Sequence, residues 1–149
     1  RHPFFFYFCT MGRIMAIDYG RKRIGIAVSD PLKIIGSGLT VKGPHEIFTF
    51  LDEYFDKEKV ECVVLGYPLQ LNDEPSESFK LVKQFETAFR RKYPGMKLVY
   101  EDERYTSKMA VRAMIDAGMK KKDRQKKENI DKMSAAIILQ SYMEKIQNT

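Results

Sequence analysis

The sequence predicts an α/β domain, on three observations. Short apolar runs, Met15–Ile17 and Val60–Leu65 among them, carry the composition of buried strands. Between them, apolar residues recur at helical spacing, as in Ile47, Phe48, Leu51, Tyr54 and Phe55. The first three strand-like stretches are joined only by short connections, which suits an antiparallel meander.

The first strand is the apolar run Met15, Ala16, Ile17, and Asp18 stands where it ends. A lone carboxylate there is costly unless it is exposed, paired or holding a cation. Gly20 supplies a turn, after which Ile24, Ile26 and Val28 alternate with Gly25, Ala27 and Ser29, the period of a second strand. A third strand is expected through Ile34 to Val41, weakened by two glycines. Gly43-Pro44 breaks it, and Pro44 suits the first turn of a helix running to about Asp56. His45, with no second ligand four residues on, reads as solvent-facing.

Val60 to Leu65 is a second buried strand, closed by Gly66-Tyr67-Pro68 and a polar loop, QLNDEPSES. Ser76 or Ser78 can cap the next helix. Phe79, Val82, Phe85 and Phe89 share one face of it, a core stripe, and Tyr93-Pro94-Gly95 ends it. Lys97 to Tyr100 is a third core strand, followed by Glu101-Asp102-Glu103 and Arg104. Thr106 or Ser107 can cap a short helix to Ala117, with Gly118 at its stop. Six basic residues then fall among the eight from Lys120 to Lys127, and Lys120 to Asn129 is expected to be a mobile loop. Asn129 or Asp131 opens a terminal helix with a buried stripe of Ala135, Ile138, Leu139, Tyr142 and Ile146.

A chain of 149 residues is most economically one domain, and no internal repeat or linker divides it. Hydrophobic residues make up 44% and charged residues 31%, so a core and a solvated surface are both available and wholesale disorder is not expected. A formal net charge of +6 favours a polyanion as partner. Cys9 and Cys62 make neither a disulfide framework nor a zinc site, which points to a reducing, cytoplasmic setting. The run Phe4–Cys9 is too short to span a bilayer. Residues 1–10 read as an upstream extension or remnant, with an interfacial membrane anchor as the alternative.

Three acids share one kind of setting: Asp18 after the first strand, Glu103 after a later one, and Asp131 at the last helix. If the first, fourth and fifth strands are parallel neighbours, two of these point into the crevice where α/β sheets bind ligands, and a crossing helix brings the third. Clustered acids are unfavourable unless a cation neutralises them. Hard oxygen ligands without Cys or His select Mg²⁺ or Mn²⁺, and such a site suits phosphodiester hydrolysis. Each member also has a plain role: Glu101–Glu103 as a solvated turn, Asp131 as a helix cap, the lysine run as a solvated loop. Around the acids, Arg21, Lys22, Arg23, Arg104, Lys120, Lys121, Lys122, Arg124, Lys126 and Lys127 are candidate phosphate contacts.

The stretches AIDYGRKRIGIAVSD, VVLGYPL, EDERYTS and DKMSAAIILQSY together resemble the YqgF (RuvX) family from about Met11 to the C-terminus. The resemblance implies a ribonuclease H-like fold over 11–149, with a mixed five-stranded sheet of three antiparallel strands plus two parallel ones, flanked by helices. It implies a catalytic and metal-binding triad of Asp18, Glu103 and Asp131, with Asp102 the rival for the middle place. Family members are described as Holliday junction resolvases and as nucleases maturing the 5′ end of the small-subunit ribosomal RNA precursor. The glycine-containing loop that usually follows the family's GxP turn is replaced here by QLNDEPSES.

The leading expectation is therefore a Mg²⁺- or Mn²⁺-dependent phosphodiesterase acting on structured RNA, working with pre-ribosomal particles, without a membrane, as a monomer or weak homodimer. A resolvase of branched four-way DNA would need two sites in a dimer. A non-catalytic ribosome-assembly factor would bind nucleic acid without cutting it.

Overall fold

A computed structural model of the chain describes residues 12–68, 77–102 and 106–148, and the side chains of all of these except 106–108. The strands are β1 (Arg13–Tyr19), β2 (Ile24–Ser29), β3 (Gly36–Lys42), β4 (Val60–Tyr67) and β5 (Lys97–Asp102). The helices are α1 (Ile47–Lys57), α2 (Glu77–Lys92), α3 (Thr106–Asp116), the single turn α4 (Lys121–Arg124) and α5 (Lys127–Gln147). The sheet runs β3-β2-β1-β4-β5. β1, β2 and β3 pair antiparallel, while β4 joins β1 and β5 joins β4 in parallel. The expected mixed sheet is thus present.

Strand alternation divides the core in two. Met15, Ile17, Ile24, Ile26, Val63, Leu65 and Leu98 face Ile47 and Leu51 of α1 and Val82, Phe85 and Phe89 of α2. Phe85 lies 4.7 Å from the Tyr19 ring and 5.5 Å from Phe48, centroid to centroid. On the other face Ile14, Ala16, Ala27, Cys62 and Val64 meet Ala135, Ile138, Leu139 and Met143 of α5. Cys62 is the small buried hydrophobe expected, and burial pushes its thiol pKa up. His45 is exposed, as its isolation implied.

Several boundaries differ from the sequence reading. β3 begins at Gly36 rather than Ile34, because the Asp30 carboxylate takes the N–H groups of Leu32, Ile34 and Ile35 into a turn at 3.2, 2.7 and 2.8 Å. Pro44 lies in the turn before α1, which starts at Ile47. Ser78 falls inside α2 and does not cap it. The terminal helix opens at Lys127, not at Asn129 or Asp131, so Asp131 sits inside its second turn and is no cap either. The lysine-rich stretch is partly helical, since Lys, Arg and Gln propagate a helix well, and Asn129 Nδ2 pins it by donating to the Asp123 carbonyl at 2.9 Å. Ile146 is exposed and Met143 takes its place in the stripe. Gly118, at φ +78°, ends α3 as expected. Residues 1–10 and Ser76 lie outside the described residues, and the side chains of Thr106 and Ser107 lie outside the described side chains.

Candidate active site

The parity that sorts the core also sorts the acids. Asp18 follows Ile14 and Ala16 on the α5 face of β1, at the end of the strand where β4 and β5 also finish. Its partner across the antiparallel ladder is Gly25. Over Gly25 runs the backbone of α5: a Cβ there would collide with the carbonyl oxygen of Asp131 and stand 3.4 Å from its Cβ. Only glycine leaves that notch. The notch seats Asp131 above the residue paired with Asp18, so acids 113 positions apart share one face at one pole (131 − 18).

Arg23 completes this arrangement. It follows the tight β1–β2 turn, in which a Cβ on Gly20 would collide with its carbonyl oxygen. Its guanidinium Nε donates to Asp131 Oδ2 at 2.6 Å, with both side chains partly sheltered. A charge-assisted bond this short places positive charge directly on the carboxylate. Arg23, expected on sequence grounds to meet phosphate, thus pairs with a candidate metal ligand.

On β5, Glu101 is 3% exposed and faces α5, where Lys145 Nζ stands at 2.6 Å and Ser141 Oγ donates at 3.2 Å. This ion pair, between a buried carboxylate and a lysine that is largely exposed, ties β5 to α5, and no spacing in the sequence signals it. Asp102 is exposed and falls on the opposite face, with Leu98. Glu103 and Arg104 lie outside the described residues.

The basic candidates are dispersed. Arg21 reaches Glu77 at 3.7 Å with both ends exposed, and Lys22 is exposed. Lys120, Lys121, Lys122 and Lys127 are exposed, and Lys126 pairs with Asp123 at 3.4 Å. Arg124 turns inward: its Nε is buried without a hydrogen-bond partner among the described residues.

Among the described residues no three His, Cys, Asp or Glu side chains gather to hold a metal. Two hard carboxylates on one face, without a thiolate or imidazole beside them, do fit a partial oxygen shell for Mg²⁺ or Mn²⁺.

A 3-2-1-4-5 sheet with antiparallel and parallel halves, an acid at the end of its central strand and a helix carrying a second acid across it define the ribonuclease H-like class. The RuvC protein of T. thermophilus, solved in complex with Holliday junction substrate, has the same fold: TM-score 0.52 at 14% identity, over 91% of this chain and 96% of that one. The RuvX family, described as Holliday junction resolvase, matches residues 12–145, and this chain belongs to it. A relative from Bacteroides fragilis is 51% identical over 90% of this chain and 97% of its own length. One from Flavobacterium johnsoniae is 52% identical over 89% and 96%. Both carry the name "Putative pre-16S rRNA nuclease". The chain is accordingly a member of a nuclease family, a hydrolase of ester bonds. No helix among the described residues is long and apolar enough to cross a membrane.

Proposed function

We propose that this protein is a divalent-metal-dependent nuclease that cuts structured RNA in 5′-end maturation of the 16S ribosomal RNA precursor, in the cytoplasm and on pre-ribosomal particles. The observation that carries the chemistry is the Gly25 notch, which seats Asp131 on the face of Asp18 and at its pole, the C-terminal end of β1. Glu103 supplies the third carboxylate. Asp102, its rival for that place, faces away from α5.

Asp18, Glu103 and Asp131 hold one or two Mg²⁺ or Mn²⁺ ions. Bound there, such ions lower the pKa of an attacking water and stabilise the departing oxygen. Arg23 holds the Asp131 carboxylate in place through its 2.6 Å bond to Oδ2. Arg21, Lys22, Arg104 and the exposed lysines from Lys120 to Lys127 hold flanking phosphates, a sequence-independent attraction suited to a folded RNA; Arg124, turned inward, is not among them.

The relatives' name favours ribosomal RNA; the family's description favours branched DNA as the second reading. One assay separates them. Labelled precursor 16S RNA, plain single strands and a four-way DNA junction are incubated with Mg²⁺, with Mn²⁺ or with EDTA. Metal-dependent cutting of the RNA at a discrete position is expected. Paired symmetric nicks in the junction, with the RNA untouched, would assign the resolvase activity instead. Binding without cutting in either metal would make the protein an assembly factor.

A further inference from the structure

Where α5 crosses the outer edge of the sheet, it leaves a groove of about 350 Å³ against the edge strand β3. Gly38 of β3 lies on the α5 face: a Cβ there would stand 3.0 Å from the Lys132 Cβ, so glycine lets strand and helix close up. One side of α5 lines the groove with Asn129, Lys132, Met133 and Ala136, all half-buried. Met119 adds a second thioether. It is fixed by the turn that ends α3, where Gly118 takes a left-handed φ and the Met119 N–H donates to the Met114 carbonyl at 3.0 Å. Asn129 is fixed by its bond to the Asp123 carbonyl. Lys132 makes no ion pair among the described residues, and the exposed Lys120, Lys121 and Lys122 follow Met119 directly. The result is an apolar groove with fixed walls and unneutralised positive charge beside it.

We propose that this groove takes an unpaired base of the nucleic-acid substrate, with Lys132 on the phosphate beside it. The inference rests on the nuclease reading and names a substrate contact for it. The volume is at the small end of ligand sites and suits one nucleoside rather than a duplex. The lining divides as a nucleotide does. Met119, Met133 and Ala136 offer a soft apolar surface to a flat ring, and Lys132 offers an ammonium to the phosphate. An apolar peptide would leave the lysine without a partner. The position also fits, because the groove opens on the face that carries both acids. Lys132 follows Asp131 in the helix, and Gly38 pairs with Ala27, two residues from the Gly25 notch beneath Asp131. Gly25 is level with Asp18 and β3 is two strands from β1. That sets the Gly38 backbone about 12 Å from that of Asp18, a span of about two nucleotides in an extended strand. A strand leaving the acids along α5 reaches this edge. The groove thus predicts a requirement for an unpaired nucleotide close to the cleavage position.

The test measures binding in EDTA, where no cleavage occurs, by fluorescence anisotropy of a labelled single-stranded RNA and of a blunt RNA duplex. Ala136→Leu fills the groove with a residue that helices accept well and touches neither acid. It is expected to weaken single-strand binding about tenfold, the effect of shutting out one base, and to leave duplex binding unchanged. Lys132→Ala should lower the slope of log affinity against log salt by about one. A readout in the wild-type protein removes any dependence on how the variants fold: the methyl resonances of Met119 and Met133 should shift when the single strand is added. Unmoved methyls would overturn the groove. So would an Ala136→Leu protein that binds the single strand as wild type does, or loses both ligands equally. A wild-type dimer that Ala136→Leu dissociates, with RNA binding retained, would make the groove a protein contact and overturn it too. If wild type binds the RNA and cuts it with Mn²⁺ while Ala136→Leu is neutral, the groove alone falls. If wild type binds neither RNA, the nuclease reading falls with it.

Discussion

At 2.6 Å, the Arg23–Asp131 bond joins residues 108 apart in sequence and sets a cation against one of the two acids. Two carboxylates on one face repel; a guanidinium on one of them relieves that cost. Arg23→Ala should therefore lower stability by about 1–2 kcal/mol in EDTA, the size of a partly sheltered charge-assisted bond. Cations that bind only the folded carboxylates stabilise the variant by mass action. Urea unfolding with and without Mn²⁺ is expected to show the gap between wild type and variant shrinking when the ion is added. A gap that Mn²⁺ leaves unchanged would separate Arg23 from the metal site. Asp18 is legible in the sequence as an acid ending a buried strand. The partner of Arg23 is not, because a pairing across most of the chain leaves no trace in local spacing.

Among the elements, the β2–β3 hairpin shows how one carboxylate resets a strand. The N–H of Ile35 holds the Asp30 carboxyl below the usual carboxylate range; burial, the next-largest influence, opposes it, and the N–H groups of Ile34, Asp30 and Leu32 add to the lowering. A depressed folded-state pKa contributes stability that is present above the unfolded value and lost as pH falls through the folded one. Asp30→Ala should cost about 1 kcal/mol at pH 7, as for loss of a cap. Thermal melts between pH 7 and pH 3 should show that difference shrinking in acid; a difference constant with pH would mean the turn does not depend on the charge. The same element shows the limit of pattern reading. Ile34 and Ile35 look like strand residues, yet Asp30 takes their N–H groups out of the ladder, and both are exposed. Long periodic elements such as α2 are readable because their stripe is long and apolar. The start of α5 is hard to place because Lys126–Glu128 carries no apolar signal, although its residues favour helix. The Glu101–Lys145 tie is hidden for the reason that hides Arg23: its partners meet only after folding.

Over the whole molecule, excess positive charge and the two described acids have distinct places. Lys120, Lys121 and Lys122 are exposed, while Asp131 is sheltered and paired. Replacing these three lysines by alanine should weaken binding of every RNA alike and reduce the slope of log affinity against log salt by about one for each phosphate no longer neutralised. A change in which RNA is preferred, with the slope intact, would mean that they read shape rather than charge. The fold itself is legible throughout, since meander, buried strands and helical stripes agree on one sheet. The site is legible as a set of acids and not as a geometry, because the notch that joins two of them is a glycine, a residue with no chemistry of its own. On the proposed reading, Asp18 and Asp131 are brought to one pole to hold cations for phosphodiester hydrolysis. The most direct measurement is cleavage of precursor 16S RNA in Mn²⁺ by wild type and by Asp18→Asn, with the thermal melting of both recorded in EDTA. Cutting that falls at least about a hundredfold in a variant that melts like wild type is the predicted result. An Asp18→Asn protein that cuts as fast as wild type would contradict the account.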